Sequence, residues 1–499
     1  MLRWGVVSDI PSVDPNSYSY TFTIAVQRHL YEGLVRYNQD MQLEPALATS
    51  WQVTSPTTWE FKLRQGVTFH DGSPFTADDV IASLERLTDP TSPVKVLNAY
   101  RGSKKVDDYT VEIETTPNYP LLPNDLTTAM ILDKEWMEEH DALLPTDVAK
   151  GVEGFASTHA NGTGPFKLAS RVPGQKTVFE ANKDWWDTPV HNLDRVEMIP
   201  IASDATRLAA LLSDQIDFTM AVPLQDIPRL DASGSIDLLK RPQTKTIFYF
   251  LNQGDKLYGS DLDSNPFQDV RVRQALNQAI DIEAIHNKIM RGLSQISGSI
   301  IAPEIPGHIA ALDERLPYDP DKAQELLAEA GYPDGFDFTF VCETGAYTNG
   351  EELCQAVSAM WSRIGLKPHL DLGPSNIQYA KYENQEFDVG IMGWANEPPL
   401  DSLSILAQLV HTRTGSLGAF NFGGWVVPGA DAMIEEAAQL AGDREKRLAL
   451  QGAALEASVK DASFVPLHQE VAVWAIGPKV ESVFLGPDSK PRLWYTVME

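Results

Sequence analysis

Strand-like and helix-like segments alternate along the whole chain, which is the pattern of a mixed α/β protein. Residues 1–7 already have the pattern of a first strand. Further strands are predicted where β-branched and aromatic residues are concentrated, at Trp59–Leu63, Thr110–Glu114, Lys176–Glu180, Thr246–Leu251, Phe336–Val341 and Phe387–Met392.

Two helices have clear beginnings in the sequence. Thr76 and Asp79 form a capping box, in which the threonine hydroxyl accepts from the Asp79 amide and the Asp79 carboxylate reaches back, and this predicts a helix over 78–87. Asp319 supplies the N-cap of another helix and Pro320 its first position. Polar segments that contain proline are candidate crossings between domains: Gly162–Pro165, Arg241–Thr244 and Ile476–Pro478.

Composition limits the classes of function. The chain has 499 residues, 43% of them hydrophobic, so it can bury several cores. Its net charge of −29 argues against binding to nucleic acid or anionic lipid, since both need clusters of Lys and Arg. No stretch approaches the roughly 20 apolar residues of a membrane-spanning helix. Residues 1–7 lack the basic and apolar regions of a signal peptide, so the sequence alone allows a cytosolic protein or an exported one whose leader was removed.

The two cysteines, Cys342 and Cys354, are predicted at a strand end and inside a helix. They are close enough in sequence to form a disulfide across the connecting loop, and two buried thiols also fit this spacing.

Catalytic and metal-binding motifs are absent from the sequence. The ten histidines are isolated, with no pair at the i, i+4 helical spacing and no Cys/His group with zinc spacing. No Gly-x-Ser-x-Gly elbow occurs, and Gly162–Pro165 lacks the Lys of a phosphate loop. The chain is therefore predicted not to be an enzyme and to need no cofactor.

Four loops combine flat aromatic rings with amide or hydroxyl groups. Such a mixture lines pockets that bury a polar organic ligand by stacking and oriented hydrogen bonds. Alternatively, each ring anchors its own loop to the core; the four loops taken together favour a pocket. Their candidate ligand-binding residues are Tyr18, Ser19, Tyr20, Tyr347, Asn349, Trp394, Asn396, Glu397, Asn421, Gly423 and Trp425.

The segment Trp59–Val80 closely resembles the signature of the bacterial extracellular solute-binding proteins of family five, the receptors for dipeptides, oligopeptides, nickel and opines that serve ABC importers. The segment consists of a strand, an Asp71-Gly72 turn and a capped helix, so it marks a fold rather than a site. Other segments resemble the family in the same order, including Asp14-Pro15, 31–34, 44–48, 162–166, 203–206, 269–276, 330–332 and Gly393-Trp394.

The resemblance implies an α/β fold of the periplasmic-binding-protein-like type II class, with two lobes, a hinge, an extra family-specific domain and the ligand in the interlobe cleft, where hinged closure captures it. The corresponding domains are lobe 1 over 1–38, 165–243 and 476–499, the extra domain over 39–164, and lobe 2 over 244–475. The resemblance also implies a periplasmic monomer whose leader has been removed. Its implied partners are the ligand and the permease subunits of an ABC importer in the inner membrane, and no nucleic acid.

Two ligand classes remain open. Peptide receptors of the family hold the ligand's ammonium with an Asp after the Gly-Trp landmark, and here Glu397 or Asp401 would have to take that part. Arg413 could meet a carboxylate or a phosphate, or could be a solvated loop charge. The ligand is therefore predicted to be a peptide-like solute or an opine or sugar-phosphate conjugate. The alternatives are a nickel chelate, or a hydrolase or transferase acting on such a solute.

Overall fold

The chain forms two compact units in the computed structural model, which describes residues 1–395 and 399–499. Unit 1 comprises Met1–Arg241 and Ala472–Glu499, and unit 2 comprises Pro242–Val471. The predicted lobe 2, residues 244–475, begins two residues after unit 2 begins and ends four residues after unit 2 ends. The segment 39–164 belongs to unit 1, and its separation as a further domain stays a prediction.

The strands are numbered in chain order. They are β1 (Leu2–Val6), β2 (Val35–Tyr37), β3 (Leu43–Pro45), β4 (Ala48–Ser55), β5 (Thr58–Leu63), β6 (Tyr100–Asp107), β7 (Thr110–Thr115), β8 (Phe166–Val172), β9 (Lys176–Ala181), β10 (Arg195–Pro200), β11 (Phe218–Thr219), β12 (Asp237–Leu251), β13 (Ser294–Ile296), β14 (Asp337–Thr344), β15 (Lys367–Pro374), β16 (Val389–Trp394), β17 (Phe464–Ile476), β18 (Val480–Ser482) and β19 (Val497–Met498). Every strand predicted from the sequence overlaps one of these, with the starts of β14 and β16 one and two residues later than expected.

The helices are also numbered in chain order. They are α1 (Thr21–Gln27), α2 (Ala77–Thr88), α3 (Leu122–Asp125), α4 (Lys134–Glu139), α5 (Asp204–Leu212), α6 (Ile227–Asp231), α7 (Val270–Gln278), α8 (Ile282–Ala284), α9 (Pro320–Glu329), α10 (Gly350–Arg363), α11 (Ser375–Glu383), α12 (Ser402–Ile405), α13 (Ala430–Ala437) and α14 (Arg444–Asp461). Turns of π type, Ile285–Ile289 and Leu406–Val410, follow α8 and α12. In the described part of the chain, no helix is both long and apolar enough to cross a membrane.

Unit 1 contains a mixed sheet around the first strand. β1 runs parallel to β10 and β11, β9 pairs antiparallel with β10, and β8 forms a hairpin with β9. Aromatic side chains fill the core beneath β1: the Trp4 ring stacks on Phe218 at 6.1 Å, and Phe218 meets Trp474 edge to face at 5.3 Å between centroids. These rings bury a large apolar area for few ordered torsions.

The signature segment Trp59–Val80 forms a strand, a turn and a helix in unit 1, as predicted. β5 lies in an antiparallel sheet of order β4-β5-β7-β6. Gly72 turns the chain at φ +98°, a backbone conformation that glycine adopts without a steric penalty. The predicted capping box is present: Thr76 Oγ1 accepts from the Asp78 amide at 3.3 Å, and Asp79 Oδ2 accepts from the Thr76 amide at 2.8 Å. Helix α2 begins at Ala77, one residue before the predicted start.

Unit 2 is built on parallel strands. β14 pairs parallel with β15 and β16, while β12 pairs antiparallel with β16 and β13 pairs antiparallel with β17. Its core includes Tyr249, Phe340 and Trp361, whose rings meet at about 5 to 6 Å between centroids. Trp361 also donates its indole N–H to the Leu276 carbonyl at 3.0 Å, so its polar atom is satisfied in the core.

The proline-containing segment Arg241–Thr244 contains the crossing that the sequence predicted, because unit 1 ends at Arg241 and unit 2 begins at Pro242. It lies inside β12, a strand of 15 residues in which the chain passes from unit 1 to unit 2. Proline fixes φ in a range that extended backbone tolerates, and the β-branched and aromatic residues from Thr244 onward favour a strand, so the pattern of Arg241–Thr244 is compatible with continuous β-structure.

Cys342 and Cys354 form a disulfide, with their Cα atoms 6.6 Å apart. The sequence allowed either a disulfide or two buried thiols, and the structure has the disulfide. It joins β14 to α10 in the core of unit 2, where both residues are fully buried.

Candidate functional site

The ends of three parallel strands define one edge of the unit 2 sheet. β14 ends at Thr344, β15 at Pro374 and β16 at Trp394, and we call this the carboxyl edge. In open α/β sheets, ligands bind outside the carboxyl ends of the strands, because the loops there converge on one crevice. β12 runs antiparallel to β16 with Thr246 opposite Trp394, so Lys245 lies at the same edge.

Tyr347 stands in the loop that follows β14. Its half-buried ring packs against Gly393 of β16, where a Cβ atom would lie 2.6 Å from Tyr347 Cε1. Only glycine therefore lets the ring lie flat on the strand. The ammonium of Lys245 lies 5.9 Å from the centroid of the Tyr347 ring, within the range of a cation–π contact.

Lys245 forms an ion pair with Glu470 beside this ring. The Glu470 carboxylate is almost fully buried and also accepts from the Thr348 amide at 2.7 Å. Burial alone would raise the pKa of Glu470, but attraction to Lys245 and the hydrogen bonds from Lys245 and Thr348 outweigh it, so the pKa is lowered and the carboxylate stays ionised. This pair was not predicted from the sequence, because its members lie on β12 and β17, far apart in the chain.

Trp394 ends β16 and meets Phe420 edge to face at 4.6 Å between centroids. Its indole Nε1 is shielded from solvent and has no hydrogen-bond partner among the described residues. Buried donors are nearly always paired in native proteins, with protein, water or a ligand. Within the described residues, the Trp394 N–H is therefore a candidate donor to a group that enters this edge.

Glu343 and Arg413 carry opposite charges near one exposed ring, that of Tyr379 on α11. Burial raises the pKa of Tyr379, the charges of Glu383 and Glu343 raise it further, and the charge of Arg413 lowers it. Arg413 is exposed and has no ion-pair partner in the described part of the chain. Glu343 is nearly buried; burial raises its pKa, and a hydrogen bond with Ser375 opposes the rise. Arg413 was predicted from the sequence, and Glu343 and Tyr379 were not.

Two predicted ligand-binding residues already use their polar atoms inside unit 2. Asn349 precedes α10 at φ +51°, and its Nδ2 donates to the Ile289 carbonyl at 2.8 Å. Asp401 is buried at the start of α12, where its carboxylate pairs with Arg447 at 3.2 Å and accepts from Gln451 at 2.9 Å. Asp401 therefore stabilises this helix start, and the structure gives it no free acceptor of the kind predicted for a ligand ammonium.

Asn421, Gly423 and Trp425 hold their loop against the core. Asn421 donates to the Trp425 carbonyl at 2.8 Å and accepts from the Trp425 amide at 3.1 Å. Trp425 is buried and donates to the Leu409 carbonyl at 2.9 Å. A Cβ atom on Gly423 would lie 2.0 Å from the Leu251 carbonyl oxygen. For this loop the structure supports the alternative that its rings and amides are anchors.

The remaining predicted residues lie elsewhere. Tyr18 is half-buried and Ser19 and Tyr20 are exposed in unit 1, just before α1, with the two tyrosine rings 6.4 Å apart. Asn396 and Glu397 lie outside the described residues. Of the residues predicted in unit 2, Tyr347 and Trp394 are therefore the ones that the structure describes at the carboxyl edge, and Arg413 is exposed further along the chain.

One group of three acidic residues, Asp79, Asp133 and Glu135, comes close enough to hold a metal ion in the described part of unit 1. Asp79 belongs to the capping box, and Asp133 caps α4 by accepting from the Trp136 amide at 3.0 Å. Helix capping accounts for two of the three carboxylates, and the group contains no histidine of the kind that a nickel chelate would use.

Comparison with known proteins gives consistent matches over the chain. The profile of the family described as "Bacterial extracellular solute-binding proteins, family 5 Middle" matches residues 42–416. Heme-binding protein A of Haemophilus influenzae is 27% identical over 497 residues, covering 93% of this chain and 86% of that protein. Glutathione-binding protein GsiB of Shigella flexneri serotype 5b is 26% identical over 498 residues, covering 97% and 92%.

Among solved structures, HbpA2 from Haemophilus parasuis superposes with a TM-score of 0.86 at 22% identity, covering 100% of this chain and 99% of that one. At this identity the likeness shows the fold.

Proposed function

The chain belongs to the bacterial extracellular solute-binding proteins of family 5 and has the type II periplasmic-binding-protein-like fold predicted for it, and from this membership we propose that it is the periplasmic receptor of an ABC importer. The family consists of solute-binding proteins of transport systems. In this proposal the protein acts as a monomer, captures a small polar solute and delivers it to the permease subunits in the inner membrane without changing it chemically.

The buried acid Glu343 and the exposed cation Arg413 are candidates for holding a ligand with both an ammonium and a carboxylate. In this proposal Glu343 receives the ammonium and Arg413 receives the carboxylate. A buried charge is costly unless the ligand supplies its counter-charge, so a zwitterion fits this edge better than a dianion. This favours a short peptide or peptide derivative over a sugar phosphate, which has no ammonium for Glu343.

The rings and the indole donor of the carboxyl edge support the same ligand class. Tyr347 and Trp394 offer flat apolar surface, and the Trp394 N–H, which has no partner among the described residues, can donate to a peptide carbonyl. That a relative of 26% identity is named a glutathione-binding protein agrees with a peptide derivative.

Native mass spectrometry of the purified protein, followed by calorimetric titration with glutathione, dipeptides, an opine and a sugar phosphate, tests the proposal. We expect a short peptide or glutathione to bind, and a ligand at about 100 times its dissociation constant to stabilise the protein by roughly 2.7 kcal/mol. The ligand should be recovered unchanged after long incubation. Binding of the sugar phosphate alone would contradict the peptide assignment, and turnover of the ligand would show a hydrolase or transferase.

Matched variants locate the site. Glu343→Gln and Arg413→Gln should each weaken peptide binding by about tenfold or more, since each removes a charge-assisted hydrogen bond. The controls Glu456→Gln and Arg363→Gln change exposed residues on α14 and α10 and should leave the affinity unchanged. Equal losses in the variants and their controls would remove the carboxyl edge as the binding site.

A further inference from the structure

A cavity in unit 1, away from the residues of the carboxyl edge, has the features of a second binding site. It encloses about 50 Å³. A single water needs roughly 10–15 Å³ of such space, so the cavity has room for about four water-sized groups. Its walls are largely apolar, with Tyr31, Met130, Trp185 and Trp494 among the lining residues, and Arg28 and Arg492 lie at one side.

Positive charge is concentrated beside the cavity. Arg28, Lys490 and Arg492 lie close together with Asp488 as their carboxylate, which pairs with Arg492 at 3.1 Å. Burial lowers the pKa of Lys490, and repulsion from Arg28 and Arg492 lowers it further. Arg28 and Arg492 therefore share the carboxylate of Asp488 in a protein whose net charge is −29.

Arg28 is the member of this group without a close acceptor. Arg492 donates to the Asn38 carbonyl at 2.9 Å and to Asp488 at 3.1 Å. The Arg28 guanidinium makes no hydrogen bond within the part of the chain that the structure describes, and its nearest carboxylate oxygen, Asp488 Oδ2, is 3.7 Å from Nη1. A guanidinium has five N–H donors, and leaving them unpaired in a largely buried place is unfavourable.

Glu32 is the one acid among the lining residues, and its carboxylate is occupied. It accepts from Trp186 Nε1 at 2.7 Å, from Thr163 Oγ1 at 2.9 Å and from Trp185 Nε1 at 3.3 Å. Burial raises the pKa of Glu32 to about 7, and these hydrogen bonds oppose the rise. Arg36, which also lines the cavity, is paired with Glu44 and Asp187. Arg28 is thus left as the cation that can accept a new anionic partner.

We propose that this cavity binds a short-chain carboxylate, whose carboxylate group pairs with Arg28 and whose hydrocarbon part packs between Tyr31, Met130 and Trp185. Apolar walls favour an anion with a hydrocarbon body over inorganic phosphate, whose remaining oxygens would lose their hydration against these walls. The small volume limits the enclosed part to about four non-hydrogen groups, the size of acetate; a longer chain such as butyrate would extend toward Trp494. This site is separate from the one in the proposed function.

Calorimetric titration of the full chain with butyrate and with butyramide tests the charge requirement. The two probes have the same shape, and butyramide lacks the charge that Arg28 would pair with. We expect butyrate to bind about tenfold or more tightly than butyramide, the range for a hydrogen bond to a charged group. Equal affinities would overturn the proposal, as would tighter binding of inorganic phosphate than of butyrate.

Variants then place the probe in the cavity. Arg28→Met should reduce butyrate affinity about tenfold or more, and Arg28→Lys should retain part of it. Arg229→Met, at an exposed arginine of unit 1, and Lys245→Gln, at the carboxyl edge, should leave it unchanged. A loss of butyrate affinity in Lys245→Gln would place the butyrate site at the carboxyl edge and overturn this proposal. The proposed function, peptide binding, would not be contradicted by that result.

If Arg28→Met fails to fold, the wild-type protein still decides the question. Butyrate should shift the indole NMR signal of Trp494, identified by its loss in Trp494→Phe. A shift confined to the Trp394 signal, or no indole shift at saturation, would contradict the assignment.

Discussion

Arg86 and Asp14 form a bidentate ion pair in the interior of unit 1. Arg86 donates from Nη2 to Asp14 Oδ2 at 2.7 Å and from Nη1 to Asp14 Oδ1 at 2.8 Å, and both side chains are 1% exposed. Further donors of Arg86 reach Asn16 and the Ala142 carbonyl. The pair joins the helix of the signature segment to the Asp14-Pro15 landmark, so these two family-like segments contact each other in the fold.

Breaking this pair on one side should strongly destabilise unit 1. Asp14→Asn or Arg86→Met should lower the free energy of unfolding by about 3–5 kcal/mol, because the remaining charge stays buried without its partner. Chemical denaturation measures the change. Lys322→Met, which removes an exposed pair with Glu325, is the control and should change little. A double variant Asp14→Asn/Arg86→Met that loses as much as the two single losses added together would contradict direct coupling.

Asp125 should make stability depend on pH. Burial raises the pKa of Asp125 to about 8, and the hydrogen bond from the Tyr119 hydroxyl opposes the rise only in part. In the unfolded chain its pKa is about 3.9. The folded state therefore holds the extra proton between about pH 4 and 8, and the free energy of unfolding falls as pH rises through this window, by at most about 1.4 kcal/mol per pH unit from this group.

Asp125→Asn removes that titration. We expect the variant to lose less stability than the wild type between pH 4 and 8, with the largest relative gain at pH 8, as measured by urea denaturation at each pH. Asp184→Asn, at an exposed residue of unit 1, should keep the wild-type slope. An Asp125→Asn slope as steep as that of the wild type would show that the folded carboxyl is ionised.

The disulfide should stabilise unit 2. It closes a loop with a sequence separation of 12, for which loop-closure entropy gives about 3 kcal/mol. Cys342→Ser/Cys354→Ser should therefore lower the melting temperature, and a reducing agent should lower that of the wild type but not that of the variant. An unchanged melt under reducing conditions that are shown to break the bond would contradict this expectation.

Asn421 and Trp394 should separate stability from binding. Asn421→Ala removes hydrogen bonds to the backbone of His411 and Trp425 and should cost about 1–3 kcal/mol of unfolding free energy. Trp394→Phe should lose ligand affinity with a smaller loss of stability, because a ring remains to pack on Phe420 and the Trp394 indole N–H makes no hydrogen bond to any described residue. Thermal melts of the ligand-free variants and titration with ligand check both; a larger melting loss for Trp394→Phe would assign it to the core.

Local sequence patterns predicted the elements better than they predicted the site. The capping box at Thr76 and the Asp319-Pro320 start of α9 act through neighbours in the chain, so their residue types reveal them. The Lys245–Glu470 pair depends on which strands lie side by side, and no local pattern encodes that.

Predicting ligand-binding residues from aromatic and amide residues in one loop also has a physical limit. It selected Trp394, whose donor has no partner among the described residues, and equally Asn421 and Trp425, whose polar atoms bond to the backbone of unit 2. Residue types are the same in both cases. Only the tertiary structure shows which polar atoms remain for a ligand.

Titration with a matched pair of ligands tests the central claim most directly. The tightest-binding short peptide and its N-acetylated form should be titrated into the wild type and into Glu343→Gln. We predict that acetylation weakens binding to the wild type by about tenfold or more, and that it has little further effect in Glu343→Gln, because the ammonium and its carboxylate partner are then already separated. Equal affinity of the wild type for both forms, or binding restricted to non-peptide solutes, would contradict the account.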